Sequence, residues 1–110
     1  QLECVRLLLE AGAAIDQARN NGATPLFMAC QKGHVDIVRL LLEASAAVNQ
    51  ANEQGATPLL IACQQGHVEC VQLLREAGAA VNQANDDGRT PLYAACLNGH
   101  LECVRLLLEA

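Results

Sequence analysis

Three stretches of the chain, ATPLFMACQKGH at 23–34, ATPLLIACQQGH at 56–67 and RTPLYAACLNGH at 89–100, lie in one frame, T-P-L-x-x-A-C-x-x-G-H, thirty-three residues apart. A fixed period of this size is a severe constraint. One such unit is too short to bury its own apolar side, so it has to stack on its neighbours. The units run 13–45, 46–78 and 79–110, and the opening QLECVRLLLEAG, a half unit at 1–12, matches the second half of a unit. The whole chain, 1–110, is therefore expected to form one domain.

Within a unit the local signals follow a consistent order. Thr24 can cap a helix through its hydroxyl, and Pro25 suits the first helical position, where a missing N–H costs nothing. Leu26, Ala29 and Cys30 then share one helix face, and Gly33 is a stop in the left-handed conformation. His34 opens a second helix with Asp36 in its first turn and Val38, Leu41 and Leu42 on its apolar side. Its outer face carries Asp36, Arg39 and Glu43; Glu3, Arg6, Glu10 and Glu102, Arg105, Glu109 repeat that spacing, which suits a solvated face with weak ion pairs. Ser45 stands where Gly12 and Gly78 stand, and so is predicted to have positive φ. An extended AAVNQAN stretch leads to polar tips such as NEQG and DDGR.

Composition narrows the class. Hydrophobic residues make up 52% of the 110 positions but aromatics only 2%, Phe27 and Tyr93, so the core has to be built from small aliphatic side chains and cysteine packed in regular layers. No apolar run approaches the roughly 20 residues that span a bilayer. The formal net charge is −5, and the seven Lys and Arg are spread singly, which argues against nucleic acid as a partner. Six cysteines without a visible leader fit a reducing, cytoplasmic setting, in which free Cys acts as a small hydrophobe.

T-P-L, an A-C pair, G-H, a V-x-L-L-L helix, G-A-x-V-N and a D/N-x-x-G turn at this period together resemble the ankyrin repeat. The resemblance covers the whole chain and implies an all-α ankyrin-repeat solenoid of stacked helix-turn-helix units with hairpin-like turns. It also implies a non-enzymatic protein–protein interaction module in which turn tips and first helices line up as a concave binding face. Three columns depart from the family pattern: Phe27, Leu60 and Tyr93 replace the usual His, Cys30, Cys63 and Cys96 replace a second Ala, and Arg19, Asn52 and Asn85 replace the turn Asp.

Comparing the units with one another locates the variation. Five columns differ in all three: Asn20/Glu53/Asp86, Asn21/Gln54/Asp87, Phe27/Leu60/Tyr93, Met28/Ile61/Ala94 and Lys32/Gln65/Asn98. None lies on a second helix. The columns Gln31/Gln64/Leu97 and Ala23/Ala56/Arg89 vary in part. The candidate partner-binding set is therefore Asn20, Asn21, Phe27, Met28, Gln31, Lys32, Glu53, Gln54, Leu60, Ile61, Gln64, Gln65, Asp86, Asp87, Arg89, Tyr93, Leu97 and Asn98. Phe27 and Tyr93 are expected to be partly exposed, since the family has a polar His there; Met28 and Ile61 fit core or surface equally. Charge runs from Arg19 and Lys32 at one end of the face to Asp86 and Asp87 at the other, with Arg89 a partial offset.

No other chemistry is expected. The Cys-x3-His pairs 30/34, 63/67 and 96/100 would be strung along a line and cannot converge on one zinc ion, so the His are read as structural, at helix junctions. No phosphate loop or catalytic set is distinguishable from the repeats, and no cofactor is expected. The partner is another protein of unknown identity, with neither nucleic acid nor membrane; Leu-rich helices at both ends add end-to-end self-association. The alternative is a passive or engineered scaffold or spacer, part of a repeat array without a dedicated partner.

Overall fold

The computed structural model describes residues 15–109 together with Glu3 and Arg6. Each unit gives two antiparallel helices: α1 (Pro25–Lys32) and α2 (Val35–Glu43), α3 (Pro58–Gln65) and α4 (Val68–Glu76), α5 (Pro91–Leu97) and α6 (Leu101–Leu108). There is no strand among the described residues. The fold is an all-α solenoid. First helices pack on first helices and second helices on second helices, with the first-helix layer the more closely joined. The longest dimension, 39 Å, fits units stacked at about 8–10 Å, the usual distance between packed helices.

Each first helix starts and stops for local reasons. The N–H groups of Phe27, Leu60 and Tyr93 donate to the hydroxyls of Thr24, Thr57 and Thr90 at 3.2, 3.1 and 3.2 Å. Proline follows each cap at the position that has no N–H to satisfy. Gly33 and Gly66 end α1 and α3 at φ 74° and 75°, whereas α5 ends on Asn98, whose side-chain amide donates to Ala94 O at 2.9 Å. Ser45 has φ 67°, the left-handed value expected from Gly78 at 86°; Gly12 lies outside the described residues.

Successive units are joined by hydrogen bonds in each of which at least one partner is a backbone group. Glu53 N donates to Asn21 O and Asp86 N to Gln54 O, both at 2.9 Å, tying tip to tip. His67 Nε2 lies 3.1 Å from Gln31 O, and His100 Nε2 lies 3.0 Å from Gln64 O. A carbonyl only accepts, so each ring carries its proton on Nε2. The His rings thus bridge to the preceding unit, while Cys30 and Cys63 sit fully buried in the core. Asp16 and Asn49 accept from the N–H groups of Ala47 and Ala80 at 2.9 and 2.8 Å, a third joint of the same periodicity.

The core is the expected layer of small residues, including Leu26, Cys30, Val38, Leu59, Cys63, Val71 and Leu74. Burial pushes the Cys63 thiol up to about 12, with the nearby Cys103 adding to the shift. Cys30 moves the same way, through burial first and then the neighbouring Cys70. The outer faces of the second helices hold the exposed pairs Arg39–Asp36 at 3.5 Å and Arg105–Glu102 at 3.0 Å, which contribute little to stability in water.

Candidate binding groove

Tips and first helices enclose a groove of about 320 Å³ along the first two units. From the first unit it takes Arg19, Asn21, Ala23, Phe27, Met28 and Gln31; from the second it takes the same columns one period on, Asn52, Gln54, Ala56, Leu60, Ile61 and Gln64; Asn85 closes it. Its floor is apolar, with Phe27, Leu60 and Ile61 at 5%, 3% and 7% exposure and Ala23 and Ala56 beside them. Its rim is exposed and polar: Arg19, Asn21, Gln31, Gln54 and Gln64. No carboxylate lines it among the described residues.

The structure corrects the expectation for Phe27. Its ring is buried, because α3 of the next unit packs against α1 and covers this column. Leu60 is buried in the same way beneath the third unit, so of Phe27, Leu60 and Tyr93 only Tyr93 is exposed. Tyr93, with no described helix stacked beyond α5, is 49% exposed, and Leu97 beside it is 59% exposed. Arg89 lies over the Tyr93 ring at 5.6 Å from its centroid, a cation–π distance. Ile61 is buried and Met28 half-buried against the core.

The remaining candidates lie outside the groove. Asn20, Glu53, Asp86 and Asp87 are exposed on the tips, while Gln65 and Asn98 are exposed where first helices end. Lys32 borders a separate depression with Pro25, Met28, Ala29, His34 and Ile37.

Five lining residues were absent from the candidate set: Arg19, Ala23, Asn52, Ala56 and Asn85. Asn52 Oδ1 accepts from Gln54 N and Ala56 N, each at 3.0 Å, and Asn85 Oδ1 accepts from Asp87 N and Arg89 N at the same distance. These two build their own turns. Arg19 cannot accept, and Asn21 Oδ1 takes over by accepting from Ala23 N at 3.0 Å. The Arg19 side chain is thereby released from turn-making, and its Nη1 lies 3.9 Å from Met28 Sδ. The signal was present in the sequence as Arg19 breaking an otherwise Asn-bearing column.

A helix-turn-helix frame stacked in register through repeated tip and imidazole joints defines a helical-repeat solenoid. The profile described as Ankyrin repeats (3 copies) matches residues 1–52 and 45–110, and the chain belongs to the ankyrin-repeat family. Ankyrin repeats are generally protein–protein interaction modules, and the family is generally non-enzymatic. Among curated proteins the chain is similar to Protein phosphatase 1 regulatory subunit 27 of Mus musculus, at 53% identity over 36 residues; the match takes in 33% of this chain and 23% of that protein.

Proposed function

We propose that this chain is a non-enzymatic protein-binding module whose partner docks on the concave side, in the groove between the tips and the first helices. The observation that carries the reading is a coincidence of two independent patterns. Columns chosen only because they differ between units, Asn21/Gln54, Phe27/Leu60 and Met28/Ile61, line one groove together with the Gln31/Gln64 column. Thr and His, held constant between units, make the helix caps and the imidazole joint, and the tip joint is made by backbone atoms whatever side chain the column carries. A surface that varies on a constant frame is what partner selection requires, since the frame folds the same way whatever the variable residues are. Exposed polar rims around an apolar floor also suit a protein surface better than a small molecule, which needs a deeper enclosure.

The test is affinity capture from a cell extract with three baits. The first is the chain itself, the second carries Gln31→Ala, Gln54→Ala, Gln64→Ala and Tyr93→Ala, and the third carries Arg39→Ala and Glu102→Ala on the outer face. The expected result is a protein held by the first and third baits and reduced at least about tenfold on the second, as removal of roughly 1.4 kcal/mol or more would give. Equal loss on the third bait would put the binding surface on the wrong side. If no captured protein distinguishes the first two baits, the spacer reading stands instead.

A further inference from the structure

Arg19 in the turn column moves the turn-making carboxamide next to a glycine. In the second and third tips the turn is made by Asn52 and Asn85, which are followed by Glu53 and Asp86. In the first tip Asn21 makes it, with Oδ1 accepting from Ala23 N at 3.0 Å, and Asn21 is followed by Gly22. A backbone nitrogen can attack the carboxamide carbon of the residue before it, and a side chain on the attacking residue stands in the way; glycine has none. Gln54 and Asp87 hold the same column before Gly55 and Gly88, but Gln would have to close a larger and less favoured ring, and a carboxylate is a poor electrophile. The first tip alone joins a carboxamide of the right length to an unhindered nitrogen.

The geometry assists the attack. The bond from Ala23 N closes a small ring that contains both Asn21 Cγ and Gly22 N, and it draws electron density from the carboxamide, which makes Cγ the better electrophile. Solvent reaches the side chain. Asn21 is exposed, and so is Gln54 one period on, although that tip is joined to a tip on either side, so the exposure belongs to the column. What restrains the attack is the Gly22 N–H, which donates to Arg19 O at 2.8 Å. That bond has to open first, and single turn bonds at a surface open readily. Of the other asparagines only Asn98 precedes a glycine. Its Nδ2 donates to Ala94 O at 2.9 Å and its backbone stays near helical at φ −97° and ψ 7°, so its carboxamide is held back along α5.

We infer that Asn21 is a modification site, at which water converts the carboxamide to a carboxylate. Gly22 N bonds to Asn21 Cγ and gives up its proton, the side-chain NH₂ takes a proton and leaves as ammonia, and water then opens the cyclic imide at either carbonyl. Opening at the side-chain carbonyl gives aspartate with the backbone restored. Its oxygen still accepts from Ala23 N, and the groove rim gains a carboxylate where it has none among the described residues. Opening at the main-chain carbonyl gives isoaspartate. The chain then runs through Cβ and Cγ, one atom longer, and the carbonyl that accepts from Glu53 N at 2.9 Å becomes a carboxylate branching off the chain. The tip joint survives the first product and opens in the second. Neither product depends on what the groove binds.

The test is incubation of the folded full chain in mildly alkaline buffer, followed by trypsin and mass spectrometry. Cleavage after Arg19 and Lys32 isolates residues 20–32, and cleavage after Arg89 and Arg105 isolates residues 90–105, which hold Asn98. The expected result is the mass gain of amide-to-acid exchange at Asn21, at least tenfold faster than at Asn98 and absent in Asn21→Gln, a residue that the second tip already carries. In ¹⁵N spectra the isolated isoaspartyl fraction should lose the hydrogen-exchange protection of Glu53 N–H, while Asn21→Asp keeps it. Conversion of Asn98 as fast as Asn21, or none at Asn21 while a free peptide of residues 17–26 converts, overturns the site. Unchanged protection of Glu53 in the isoaspartyl fraction overturns the link to the tip joint.

Discussion

The second and third units share most of their sequence, yet the same columns meet opposite surroundings. Leu60 is 3% exposed and Tyr93 49%; Cys63 is buried and Cys96 exposed. A Cβ on Gly66 would come within 2.6 Å of His100 Nδ1, whereas a Cβ on Gly99 would meet no described atom within 4 Å. Burial here is a property of a pair of units. A residue facing the next unit is core when that unit stacks over it, whatever its own hydrophobicity.

The two units should differ most at their glycines. Both Gly66→Ala and Gly99→Ala place a side chain at positive φ, φ 75° and 71°, at a cost of about 1 kcal/mol. In Gly66→Ala the methyl group also has to displace the half-buried His100 ring, which loses its bond to Gln64 O. The expected losses in urea denaturation are about 3 kcal/mol for Gly66→Ala and about 1 kcal/mol for Gly99→Ala. Equal losses would mean that the imidazole joint contributes nothing.

The thiols of the two units differ in the same way. Cys63 is held protonated up to about 12 against an ordinary value of 9.0. Above that ordinary value the unfolded chain releases the proton while the folded chain keeps it, so stability falls as pH rises from about 9 towards 12. Between pH 9 and 10 this one thiol should cost about 1 kcal/mol, and Cys63→Ala should flatten the slope accordingly. Cys96 should react with an aromatic disulfide reagent in the native state, while Cys63 should react only on unfolding. A native chain that modifies both at the same rate would refute the contrast.

The smallest effect compares the second-helix stops of the first two units. Ser45→Gly gives the first unit the residue that the second unit has in Gly78, and should stabilise by up to about 1 kcal/mol because φ 67° no longer opposes a Cβ. Calorimetry showing a lower melting temperature would contradict it.

What the sequence made legible was whatever depends on a few adjacent residues. Thr-Pro and Gly mark helix ends through local hydrogen bonds and dihedrals, and the left-handed Ser45 followed from Gly78 in the same column. Tertiary surroundings were harder. Phe27 was expected at the surface because its family counterpart is polar, but the decisive factor is α3 stacked over it. Arg19 looked like a lost turn residue; only the tip geometry shows Asn21 making the turn in its place and the arginine turned to the groove. The charge gradient read from the sequence does not run along the groove: Lys32 borders a different depression, and Asp86 and Asp87 stand on the third tip. Column variation found eight lining residues but missed Ala23 and Ala56, which matter to the groove because they are small and unchanging in those two units.

The joints between units have one more consequence. At the tip both atoms are backbone, and at the imidazole the accepting atom is a backbone carbonyl one unit back. A gene segment cut at the 45/46 and 78/79 boundaries could therefore be duplicated, deleted or exchanged without stranding a polar group, because the incoming segment finds the same carbonyls waiting whatever its variable side chains are. Such a chain can be lengthened or re-lettered in steps of one unit with the tip and imidazole joints remade at each step.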